Sequence, residues 1–218
     1  VLQEGVHDIL ARTVADPNLL ICDLVRDLFN ATGHGDLVCK TPFWTVVQKI
    51  DLYIRRKRAI DFVEWLKMQE GAVIVGGGWD FISREGARAE FRPALPMHQS
   101  FPLYEQTQFV CNTSPYARDH VHERIVCGLA MGACVLSDTN AWWDKNFSDV
   151  PALTRFDWDK PLGDQLGIIR HPSRAAEASL TGRAPALKHF WNRGNIDRII
   201  AHAADLRRQA PAPQKAQG

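Results

Sequence analysis

No two cysteines in this 218-residue chain are spaced C-x-x-C, and neither sign of charge prevails. The near balance, 26 Lys and Arg against 25 Asp and Glu for a formal net charge of +1, leaves no global field to attract a polyanion or an anionic lipid surface. Nucleic acid is therefore not an expected partner. The five cysteines (Cys22, Cys39, Cys111, Cys127 and Cys134) are odd in number, and three sit in apolar runs like ordinary core residues, which argues against a disulfide framework and for a reducing, cytoplasmic compartment. The longest uninterrupted apolar stretch, VCGLAMGACVL, falls well short of the roughly 20 residues that a membrane-spanning helix needs, and no signal peptide opens the chain. The first residue is valine rather than methionine, which fits a fragment or a processed product. GxxxxGK[ST] is missing, and GGGWDF lacks the third glycine of the dinucleotide fingerprint, so P-loop and nicotinamide chemistry drop out.

What is present is a chain of 45% hydrophobic and 23% charged residues, enough to bury one sizeable core. Val1 to about Gly33 reads as two amphipathic helices broken at DPN (Asp16 to Asn18), whose apolar faces need a partner. From Thr41 and Pro42 a long helical pattern runs to about Gln69 and places Phe43, Val46, Val47, Ile50 and Ile54 on one stripe. The basic run RRKR inside it, Arg55 to Arg58, reads as a solvated face. Five strand candidates follow, AVIVGGGW, RAEFRP, TQFVCN, ACVLSD and ALTRFD, the last three separated by helical segments over His120 to Met131 and Ala141 to Phe147. Continuous apolar strands alternating with helices predict an α/β fold: a Rossmann-like, mainly parallel sheet of about five strands with helices on both faces, plus the N-terminal helices. The expected organisation is an N-terminal helical segment over 1–40, an α/β lobe over 41–208 and a disordered tail over 209–218.

Chemistry concentrates in HVHERIVCGLAMGACVLSD, His120 to Asp138. It reads as a helix beginning near the carboxyl end of strand TQFVCN, where ligands bind in this class of sheet. Val121, Ile125 and Leu129 fall on its core side, Glu123 and Cys127 on the other with Arg124 beside them. Gly128 and Gly132 are expected to let the helix approach the sheet, and Asp119 to cap it. Backbone N–H groups at such a start, with Arg124 and hydrogen bonds from His120 and His122, suit a pyrophosphate. A solvated helix end explains the same residues equally well.

The segment NTSPYARDHVHERIVCGLAMGACVLSDTNAWW resembles the donor-binding segment of GT-B glycosyltransferases, particularly their spore-maturation-protein (CgeB-type) branch: a polar loop, an Arg-containing helix, then A-x-G-A and an apolar strand ending in a small polar pair. VIVGGGW and HFWNRGNIDRII resemble that lobe's first strand and closing helix, so the likeness covers roughly Thr41 to Ala204. It implies a C-terminal donor-binding lobe that takes a nucleotide sugar as substrate, with no cofactor and no metal. The donor-binding residues it implies are Gly77, Gly78 and Trp79 near the base, Asn112, Ser114 and Tyr116 in the polar loop, and Asp119, His120, His122, Glu123, Arg124 and Cys127 along the helix. No catalytic residue is assigned.

Two departures qualify the resemblance. Many retaining members carry two glutamates eight positions apart, the later one holding the ribose hydroxyls, and those positions here are Asp119 and Cys127. A thiol is a poor acceptor for a hydroxyl. Either Glu123, one turn earlier, takes that role or the donor pocket is altered. The second departure is size: Val1 to Lys40 is too short to be an acceptor-binding lobe, so a second lobe or a partner chain is implied. The reading is thus a glycosyltransferase or its nucleotide-sugar-binding lobe, with a non-catalytic binding or interaction domain of the same fold as the alternative. Asp157-Trp158-Asp159 matches the metal-binding DxD of another glycosyltransferase fold, yet Asp159 before Lys160-Pro161 also reads as a helix N-cap. Trp142-Trp143 reads as the cover of a core edge, or as a stacking surface for a base or sugar.

Overall fold

The computed structural model describes residues 2–16, 18–113 and 122–190. Helices α1 (Leu2–Ala15) and α2 (Ile21–Ala31) pack together against α3 (Thr41–Leu66), where Pro42 sits in the first turn and its missing N–H costs nothing. Their common core joins Ile9, Val25 and Phe29 to Phe43, Val47, Ile50 and Ile54. Phe29 meets Phe43 edge to face, with ring centroids 5.8 Å apart. At 26 residues α3 is about 39 Å long, and its second half turns to other partners. Phe62 stacks on Phe156 at 5.3 Å, and Val63 packs with Ile74 and Ile82.

The basic run within α3 departs from its expected solvated role at one residue. Arg55 pairs with Asp51 at 2.6 Å and Lys57 with Asp61 at 2.6 Å, but Arg58 is fully buried. The cause is register: position 58 lies four residues after Ile54 and four before Phe62, on the core stripe.

All five predicted strands form, and every pairing is parallel. β1 (Val73–Val75) and β2 (Glu90–Arg92) make one ladder, with Ile74 opposite Phe91. After α4 (Met97–Glu105), β3 (Phe109–Asn112), α5 (Glu123–Ala130), β4 (Cys134–Asp138), α6 (Ala141–Asn146) and β5 (Leu153–Phe156) build the other, in the order β3-β4-β5. Val110, Val135 and Leu153 share one core cluster, into which Ile125, Leu129, Trp143 and Phe147 also pack. Leu136 and Phe156 join Phe62 and Leu166 in another. Alternation along the strands thus gives both faces a helical cover, as the continuous apolar strands predict. Trp143 is fully buried, so of the two roles open to the tryptophan pair it takes the core one.

Local chemistry explains how α5 reaches the sheet. A Cβ at Gly128 would lie 3.0 Å from Val135 Cγ2 and 3.1 Å from Val110 Cβ, so any other residue would have to push these side chains aside. Gly132 acts differently from the expectation. It has φ of +87° with open space around it, and Ala133 N–H donates to Gly128 O and Gly132 N–H to Leu129 O, the pattern of a left-handed helix stop.

The chain continues through α7 (Leu162–Gln165), α8 (Pro172–Ser179) and α9 (Arg183–Phe190). Pro161, not Asp159, stands at the cap of α7, because Asp159 lies too far upstream of its first turn. The remainder of HFWNRGNIDRII and the tail expected over 209–218 lie outside the described residues. Among the described residues no helix is long and apolar enough to cross a membrane.

Candidate functional site

Among the described residues six polar or charged side chains are buried, and four of them stand together in one region. Asn112 ends β3, Ser137 and Asp138 end β4, and Asn140 follows; all four are buried. Burying a polar group costs free energy unless hydrogen bonds replace those it made to water. Here Asn112 Nδ2 donates to Ser137 Oγ at 3.1 Å, and Ser137 Oγ donates to Asp138 Oδ1 at 3.4 Å. Trp158 Nε1–H, just past β5, donates to Asp138 Oδ2 at 3.0 Å. From the other side Arg124 Nη1 donates to Asn112 Oδ1 at 3.1 Å. The carboxyl ends of three parallel strands therefore carry one connected polar edge, with an arginine of the first turn of α5 at its end.

Helix α5 begins at Glu123, three residues later than expected, and its cap is His122 rather than Asp119. The imidazole Nδ1 accepts the N–H of Arg124 at 3.2 Å, and His122 O accepts that of Ile125 at 3.0 Å. Two of the helix's leading N–H groups are thus held by the cap itself. Glu123 beside it is exposed and lies 3.4 Å from His122 Nδ1, whereas Cys127, one turn on, is buried. The pair expected on one face is divided between solvent and interior.

Of the remaining expected residues, Gly77, Gly78 and Trp79 stand at the carboxyl end of β1, in the other ladder. Gly78 has φ of +80°, and Trp79 leans on the cluster of Val63, Ile74 and Ile82. Ser114, Tyr116, Asp119 and His120 lie outside the described residues. The structure therefore joins Asn112 to Arg124, sets His122, Glu123 and Cys127 along the same helix, and keeps the glycine turn on a separate ladder.

Residues 55–201, more than half of the chain, match a family described as glycosyl transferase-like. The chain belongs to this glycosyl transferase-like family. Neither a curated protein nor a solved structure matches it. The matched span begins inside α3 and takes in both ladders and the whole polar edge.

Four residues at or beside this polar edge are given no binding role by the sequence reading. Ser137 and Asp138 had a signal, since they break an apolar strand at its carboxyl end. Trp158 hides between the two aspartates of FDWDK, and Arg58 hides in the RRKR run. The Arg58 guanidinium carbon lies 5.6 Å from the Trp158 ring centroid, and Nη2 donates to Thr13 O at 2.5 Å and Val14 O at 3.1 Å. Its Nε and Nη1 have no acceptor. Burial lowers its pKa, while the charges of Asp138 and Asp16 oppose that shift. It remains a cation.

The thiols at this edge are held protonated. Burial pushes Cys111 up to about 12, with Arg124 pulling it down, and burial followed by the Glu123 charge raises Cys127. Neither is a nucleophile at neutral pH. The Asp157 carboxyl is held below the ordinary range by a 2.8 Å hydrogen bond from Lys160. Among the described residues no three His, Cys, Asp or Glu side chains converge where they could hold a metal ion.

Proposed function

We propose that this chain is the donor-binding lobe of a GT-B glycosyltransferase of the spore-maturation-protein (CgeB-type) branch, and that it binds a nucleotide sugar at the carboxyl edge of β3, β4 and β5. The observation that carries the reading is the bond from Arg124 to Asn112, which holds a guanidinium at the first turn of α5, beside the strand ends where ligands of such sheets bind. In this reading Arg124 faces the diphosphate, helped by the dipole of α5. Ser114, Tyr116, Asp119 and His120 lie in the segment leading to it, and the glycine turn with Gly77, Gly78 and Trp79 receives the base. The ribose hydroxyls fall to Glu123, the exposed carboxylate of that turn, since the protonated Cys127 thiol accepts poorly. The acceptor and any catalytic base belong to a second lobe or partner chain.

A non-catalytic nucleotide-sugar-binding role is the second reading, favoured by Cys127, a buried thiol at the position where many retaining members of the resembled family carry a carboxylate. A thermal-shift screen of the full chain with nucleoside diphosphates and nucleotide sugars tests the binding common to both. A ligand at one hundred times its Kd is expected to stabilise the fold by about 2.7 kcal/mol. Failure of every nucleotide to raise the melting temperature of folded protein would sink both readings.

A further inference from the structure

We propose that Arg58 is a positioning residue: it ties the N-terminal helix pair to the carboxyl edge of the β3-β4-β5 ladder and so sets the orientation of Arg124, an inference that rests on the site reading given above. An unbroken series of contacts runs between the two arginines. Arg58 Nη2 donates to Thr13 O and Val14 O in the last turn of α1, carbonyls that have no partner within the helix. The guanidinium lies over the Trp158 ring. The Trp158 indole N–H donates to Asp138, whose other oxygen takes the Ser137 hydroxyl; Ser137 accepts from Asn112, and Asn112 accepts from Arg124.

A second tie is independent of Arg58. Asn18 Oδ1, in the turn after α1, accepts the N–H of Ala141 at 3.1 Å, immediately beyond the polar edge. The last turn of α1 and the turn that follows it are thus linked to the strand ends by two routes, one through Arg58 and Trp158 and one through Asn18, while the exposed Arg56 is two residues away on the far side of α3. A fully buried cation with two nitrogens lacking acceptors is retained at a cost to stability. Methionine would fill the same space without that cost. What the cation adds is a fixed orientation for the Trp158 ring and, through it, for Asp138.

The test is a mutant cycle on the full chain without ligand, read at both ends. Trp158→Phe keeps a ring beneath the guanidinium and removes only the N–H bonded to Asp138. It is expected to speed amide hydrogen exchange in the last turn of α1 about fivefold, to shift the side-chain Nε–H resonance of Arg124, and to add nothing when Arg58→Met is already present. Arg58→Lys, which keeps a cation able to reach Thr13 O, is expected to behave nearly as wild type. Should Arg58→Met fail to fold, Trp158→Phe and Arg58→Lys still decide the matter. Wild-type exchange in α1 together with an unmoved Arg124 resonance in Trp158→Phe overturns the proposal, as do effects that simply add in the double variant. Titration of wild type with guanosine and uridine diphosphates separates the two ideas: no binding defeats the site reading, while the exchange and resonance results still judge the tie.

Discussion

Cys127 and Arg58 each put a titratable group in the interior, with opposite consequences for its charge. The thiol stays neutral and fits its surroundings. Replacing Cys127 with glutamate would place a carboxylate where only 7% of the residue is exposed, and Cys127→Glu is expected to lose on the order of 3 kcal/mol in urea unfolding without a gain in nucleotide affinity. Unchanged stability with tighter ribonucleotide binding would instead put this side chain in the pocket. Cys111 supplies a pH signature. Its pKa rises from the ordinary 9.0 to about 12 in the folded state, so below pH 9 folded and unfolded chains both hold the proton and stability is complete. Between pH 9 and 12 the unfolded chain gives up a proton that the folded chain keeps, and stability falls. Urea midpoints across that range should decline less steeply in Cys111→Ala than in wild type. At this scale the sequence was least informative: the spacing from Ile54 and Phe62 puts Arg58 on the core stripe, but a basic run gives no sign of what would receive a buried cation, and the place of the Trp158 ring depends on the packed strand ends.

Gly128 and Gly132 frame the element that matters most, and they are needed for different reasons. At Gly128 alanine would gain up to about 1 kcal/mol in helix propensity, but its Cβ would press on Val110 Cβ at 3.1 Å, the rigid root of a strand side chain. The overlap, about 1–3 kcal/mol, wins, and Gly128→Ala is expected to lower the melting temperature. Gly132 has room but a positive φ, so Gly132→Asn should be tolerated where Gly128→Asn is not. Equal losses for the two asparagine variants would show that space, not backbone conformation, governs both. The existence and parallel pairing of all five strands were readable from their apolar runs and the helix-length spacers of the last three. The start of α5 was not, since His122 as a cap resembles any polar residue before a helix.

On the scale of the molecule α3 is the shared wall, with its first half completing the core of α1 and α2 and its second half meeting both ladders. Removing residues 1–40 would expose Phe43, Val47, Ile50 and Ile54 and strip the carbonyls from Arg58, so the shortened chain is expected to aggregate or melt well below the full one. The claim that the polar strand ends hold a nucleotide sugar is tested most directly by calorimetric titration of wild type and Arg124→Ala with uridine and guanosine diphosphates and the matching nucleosides. Loss of a charge-assisted hydrogen bond should weaken diphosphate binding by roughly 1.5 to 3 kcal/mol, a factor of about 10 to 150 in Kd, and leave nucleoside affinity unchanged. Equal weakening of both ligands, or diphosphate binding indifferent to Arg124, would contradict it.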